Sequence, residues 1–354
     1  MKLVACSLEV KKIKKAGFIS ILFIFLFFTL SGSTFKVCSQ EETEKFTMTF
    51  VGDILLDKNY LPDEAYPFKY VEKILHESDI TAGNLECPIS TRGYPNQAKN
   101  PASVASGREY IFRASPKMAE SLSIAGFDVM SLANNHTMDY GPDALLDTLD
   151  FLHSFNTGAI GAGKNIYDAR SPYYIQVKNT LVAFLAYSEI VPYSYGATQY
   201  SPGISVASMD YKRNYFCEDI KKAKENADIV VIYFHWGEER SFQADRIQKD
   251  FARRAVDMGA DLVIGAHPHV LQGMERYKNG LIAYSLGNFV FDPYGENSRE
   301  TIILQCIFKN EILSDINIIP VYIQAGKPVI ATGGRKNKIM ERMRNLSAMS
   351  GFNL

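Results

Sequence analysis

Cysteine is scarce in this 354-residue chain, and the little there is does not suit cross-linking. Beyond the first 39 residues only Cys87, Cys217 and Cys306 remain, odd in number and widely spaced, so no disulfide framework is implied. An excess of positive charge is missing too. The chain has 38 basic and 39 acidic residues, but residues 1–39 hold six lysines and one glutamate, so the remainder carries 32 against 38. That mildly acidic balance excludes a broad nucleic-acid surface, and no nucleic-acid partner is expected. Internal repeats and extended low-complexity tracts are absent, which excludes a solenoid or a largely disordered chain.

Long apolar runs are nearly absent as well. The exception is Phe18 to Leu30, which follows Lys11-Lys12-Ile13-Lys14-Lys15 and is short for a membrane span. Residues 1–39 therefore read as a secretion signal, with an N-terminal membrane anchor through the uncharged residues 16–35 as the alternative. Either way the rest of the protein is expected to be exported, outside the cell or at its surface. Hydrophobic residues make up 47% of the sequence, and the roughly 310 residues beyond the leader can bury one large core.

Against this background the histidines stand out. Gly265-Ala266-His267-Pro268-His269 places two imidazoles one residue apart directly after the apolar run Ala260 to Ile264. The proline restricts the backbone between them, and a buried strand would present both at its carboxyl end, where open α/β sheets bind ligands. Four other strand-like runs end in ligand chemistry. Phe46 to Val51 leads into Gly52-Asp53, and Asp79 to Ala82 leads into Gly83-Asn84-Leu85-Glu86. Phe127 to Ala133 precedes Asn134-Asn135-His136, and Ile229 to Phe234 ends in His235-Trp236-Gly237. Each run has a plainer reading: Gly-Asp as a turn, Asn-Asn-His as a helix cap, Glu86 as a solvated loop acid, His235 as a core histidine. Their coincidence weighs against those readings, since four of six histidines fall at these ends while His76 and His153 lie in helical stretches.

The order of these motifs, with Asp139, Gly141 and Ser285-Leu286-Gly287-Asn288-Phe289-Val290, resembles the poly-γ-glutamate capsule synthesis (CapA) family, a branch of the calcineurin-like metallophosphoesterases. The resemblance covers roughly residues 45–292. It implies a centre of two divalent metal ions, in which Asp53 and His269 hold one, Asn135, His235 and His267 hold the other, and Glu86 bridges them. Oxygen and nitrogen donors without thiolate suit manganese, iron or zinc. His136 would act as acid or electrostatic stabiliser, with Asp139 beside it, while Asn84 and Asn288 would contact substrate. Two departures from the phosphoesterase pattern matter: Leu55 stands where those enzymes usually carry histidine, and Glu86 where they usually carry aspartate. One ion thereby loses a ligand.

Helices are expected over Tyr66 to Glu77, Pro116 to Ala125, Pro142 to Phe155, Asn214 to Asn226 and Asp245 to Met258. Further strands are expected over Leu181 to Ala186, Leu281 to Tyr284, Thr301 to Phe308 and Ile312 to Pro320. Helices between the early strands and strands after residue 280 suit an α/β sandwich with two facing sheets. The resemblance makes it a four-layer α/β/β/α sandwich of the metallo-dependent phosphatase type, spanning residues 45–330. Residues 331–354 read as a basic tail or solvated helix. The polar loop 91–113 carries Arg92 and Arg108 as candidate substrate-binding cations, although a plain surface connection explains it equally.

The function expected from the resemblance is an exported metal-dependent hydrolase or transferase handling poly-γ-glutamate or a related anionic polymer or peptide. Membrane-bound polymer synthesis or export proteins are candidate partners. An extracellular phosphoesterase and a non-catalytic assembly subunit are the alternatives.

Overall fold

A computed structural model describes residues 44–57, 59–61, 66–208, 215–291 and 295–354. The expected leader at 1–39 and the anchor at 16–35 lie outside these residues. The alternation at Phe46 to Val51 becomes the strand Lys45–Ile54, the centre of the first sheet. It pairs in parallel with Ile80–Leu85 and antiparallel with Glu300–Lys309, and near its end it also pairs with Asn288–Val290. Val129–Ser131 and Gly158–Ile160 extend one edge, Ile312–Gln324 and Lys327–Ile330 the other.

A second, six-stranded sheet is built around Thr180–Ser188, Ile229–His235 and Leu262–Ala266, which are parallel neighbours. Ile229–His235 is buried at every position, as a strand covered on both faces must be. Alternate residues of the two sheets meet face to face: Met48, Phe50, Ala82 and Leu304 from the first pack with Phe184, Val231, Tyr233 and Ile264 from the second. Helices cover the outer faces. Lys117–Ile124 and Gly141–Ser154 bury Met118, Leu122, Leu145 and Leu152 on the first sheet. Tyr215–Lys224 and Arg246–Asp257 bury Phe216, Ile220, Phe251 and Ala255 on the second. The layer order is therefore that of a four-layer α/β/β/α sandwich.

The expected helices form with trimmed ends. The first shrinks to Glu72–His76: Pro67 disfavours helical backbone at Tyr66, and residues 69–71 form a turn ahead of the helix. Arg246–Asp257 starts where Asp245 and Gln248 form a capping box, a device that contributes about 1 kcal/mol. The C-terminal stretch departs from the expected solvated helix. Gly333–Ala348 buries Ile339 and Met343 in the core between the sheets, and Lys338 and Arg342 form ion pairs with the buried Glu300 at 2.8 and 3.1 Å. Its basic residues are thus partly internal partners. Among the described residues no helix is long and apolar enough to cross a membrane.

Candidate metal centre

Strand ends from both sheets converge on one point. Asp53 ends the central strand, Glu86 follows Ile80–Leu85, and Asn135 lies in the turn after Val129–Ser131. From the second sheet His235 is the last residue of its strand, and His267 and His269 follow Leu262–Ala266. Two glycines allow the backbones to approach this closely. A Cβ on Gly52 would lie 1.8 Å from the Gly287 carbonyl oxygen, and one on Gly265 would lie 1.9 Å from that of Tyr284. His267 and His269 themselves have positive φ angles of 96° and 56°, the left-handed region that glycine prefers. Such backbone strain collects at functional sites.

The side-chain donor atoms of these residues lie within about 4 Å of one another in pairs. Glu86 Oε1 is 3.4 Å from His235 Nε2, and Glu86 Oε2 is 4.0 Å from His269 Nε2. Asp53 Oδ2 is 3.3 Å from His269 Nδ1, and Asn135 Oδ1 is 2.8 Å from His235 Nε2. Among the described residues, ligand atoms of Glu86, His235 and His267 lie within 4.8 Å of one another, and so do those of Asp53, Glu86 and His269. Glu86 is common to both groups, the position a bridging carboxylate would hold.

Cations fit this site on physical grounds. Glu86 is fully buried, yet neither carboxylate oxygen has a hydrogen-bond partner, and His267 Nδ1 is likewise buried without one. A buried carboxylate left in that state is costly unless positive charge offsets it. Burial and the Asp53 charge hold the Glu86 carboxyl well above its usual range. Burial and the neighbouring histidines push His235 and His267 well below theirs, leaving neutral imidazoles with lone pairs for metal. Burial also disfavours charge on His269, but Glu86 and Asp53 outweigh it and raise the ring to about 10. The carboxylates thus draw a proton where divalent ions would satisfy them better.

Beside this centre, at His269, lies a cavity walled by Tyr60, Tyr110, Phe112 and Phe291. His136, Glu239, Arg240, His269 and Asn288 supply its polar lining. His136 Nδ1 is 2.8 Å from Asp139 Oδ2 and 2.9 Å from Lys99 Nζ, and its ring lies against Phe112. Burial and the Lys99 ammonium, opposed by Asp139, bring His136 down to about 4, so the imidazole is neutral near pH 7. Asn288 Oδ1 is 2.8 Å from His269 Nδ1 and lines the cavity, so it can both orient a ligand and meet a substrate.

Three expected substrate contacts lie elsewhere. Asn84 is 1% exposed and behind the centre, donating to Asp53 Oδ1 at 2.9 Å, 3.4 Å from His235 Nδ1 and accepting from Asn134. Its amide is spent on orienting ligands. Arg92 is bound to Asp147 on the helix Gly141–Ser154, and Arg108 Nε donates to Ser106 Oγ; neither lines the cavity. Lys99, in the same loop, turns inward instead, while Glu239 and Arg240 reach the cavity from the turn after His235. No local feature of the sequence separates Glu239 from Glu238 beside it.

The family model for the bacterial capsule synthesis protein PGA_cap matches residues 47–293. The capsule biosynthesis protein CapA of Bacillus anthracis is 33% identical over 85% of this chain and 74% of its own length. The PGA biosynthesis protein CapA of Bacillus subtilis (strain 168) is 32% identical over 97% of this chain and 89% of its own. Among solved structures, a hypothetical protein from Thermus thermophilus superposes with a TM-score of 0.48 at 14% identity, over 78% of this chain and all of that one. With most of its length matched by the family model and by relatives above 30% identity, the chain belongs to the bacterial capsule synthesis protein family.

Proposed function

We propose that this member of the capsule synthesis family is a metal-dependent hydrolase or transferase that works outside the cytoplasm on poly-γ-glutamate or a related carboxylate-bearing polymer. The observation that carries the reading is the buried Glu86 carboxylate, without hydrogen-bond partners among three histidines and beside an aromatic-walled cavity. The names of the two Bacillus relatives, for capsule biosynthesis and for PGA biosynthesis, support that setting.

Asp53, Glu86, Asn135, His235, His267 and His269 would hold two divalent ions. When bound, such ions polarise the scissile group and lower the pKa of an attacking water. The remaining roles fall to this chain's own residues. His136 is positioned through Nδ1 by Asp139 and Lys99, so exchange of a proton with a leaving group falls to Nε2. Arg240 replaces Arg92 and Arg108 as the arginine at the cavity, where a guanidinium pairs with a carboxylate through two parallel N–H donors. The aromatic walls exclude water and limit the space to a short segment of a polymer.

The test is metal analysis of the purified chain, followed by assays on poly-γ-glutamate and simple phosphoesters. Metal-dependent cleavage, transfer or binding of the polymer is the expected result. Robust turnover of phosphodiesters with no measurable polymer association would move the function to an extracellular phosphoesterase.

A further inference from the structure

Asp53, Glu86 and His269 form a sparse ligand set, because the nearby Leu55 brings no donor atom. Leu55 is 1% exposed and packs into the apolar cluster beneath the helices, so its side chain has no share in the centre. The ion that Asp53 and His269 would hold is therefore short of a ligand from this strand.

Another carboxylate lies on the open side. Glu239 is solvent-exposed, yet one of its oxygens lies within 4.8 Å of ligand nitrogens of His267 and His269. The turn that carries it is held in place: the Arg240 amide donates to the Pro268 carbonyl at 2.7 Å, and the Gly237 amide to Glu189 at 3.1 Å. One bond thus joins the Glu239 turn to the peptide between the two histidines. Glu238, its neighbour, belongs to none of the ligand groups found among the described residues.

We propose that Glu239 is a further metal ligand, meeting the centre from the solvent side between His267 and His269. This rests on the dinuclear reading of the centre. Glu86 then meets the ions from the buried side and Glu239 from the cavity. Glu239 is exposed on its turn, so of the residues that would hold the ions it is the one an incoming substrate would meet first.

Metal titration of the full chain, freed of metal and read by calorimetry and by metal content after dialysis, tests the assignment with Mn²⁺ and Zn²⁺ as probes. In Glu239→Gln at least one ion is expected to weaken by at least about tenfold, a loss that even outer-shell changes reach. Glu238→Gln should weaken neither ion. The metal-free melting temperature of Glu239→Gln should equal that of the parent, since the residue is exposed. If the parent binds ions and Glu239→Gln leaves every affinity unchanged, the assignment falls and the metal centre stands. If the parent binds no divalent ion, both fall together.

Discussion

The Lys99 ammonium lies 2.6 Å from Asp139 Oδ1 in the protein interior, with the lysine side chain 8% exposed and the carboxylate fully covered. Asp139 also accepts from Tyr195 Oη at 2.9 Å and from the Phe112 amide at 2.8 Å, so it is the hub that holds His136 against the cavity wall. Removing one partner of a buried pair leaves the other charge uncompensated. Lys99→Met is expected to cost about 3 kcal/mol in urea unfolding of the metal-free protein. Adding Asp139→Asn should recover part of that loss, whereas additive losses in the double variant would mean the two residues are not coupled.

His136 and His267 separate the two kinds of role. His267→Ala should lower metal content and turnover together. His136→Ala should leave metal content intact and lower turnover on whichever substrate the assays identify by about 10²- to 10⁴-fold, the usual contribution of a positioned acid or base. Loss of metal from His136→Ala equal to that from His267→Ala would make His136 a ligand instead.

The φ of 96° at His267 gives a prediction that does not depend on activity. Both His267→Gly and His267→Ala remove the imidazole, but only glycine is at ease in that backbone region. The glycine variant should be more stable than the alanine variant by about 1 kcal/mol in metal-free denaturant unfolding. Equal midpoints would show that the turn relaxes without cost.

Gly52→Ala tests the close approach that sets Asp53. With only 1.8 Å available to the new methyl, the central strand must separate from the Gly287 carbonyl, which accepts the Asp53 amide at 3.0 Å. The expected result is a loss of about 3 kcal/mol, at the upper end for overpacking, together with reduced metal content. A stable variant with full metal would show that the two strands can part without moving Asp53.

The parts of the site legible from sequence are those written locally. His235, His267 and Glu86 each terminate an apolar strand, and the period of that strand can be read before its partners are known. Lys99 and Glu239 are different. Lys99 looks like any loop cation until the fold brings Asp139, forty residues on, against it; Arg92, in the same loop, is captured by Asp147 on a neighbouring helix. Asn84 shows a related limit, because its motif marks it as part of the site but not which side of the ligands it faces. The C-terminal helix is visible as a helix, yet the partner of its basic face, Glu300, lies on a strand far from it in sequence.

The central strand Lys45–Ile54 opens the fold, while its antiparallel neighbour is Glu300–Lys309, and the Glu44 amide reaches Asn310 across 266 residues. As the polypeptide emerges from its amino end, this strand waits without one flank until residues 300–309 have been made. Closing so long a loop is entropically slow, and an uncovered β edge invites pairing with other chains in the interval. Closure of the first sheet is therefore expected among the late steps of folding.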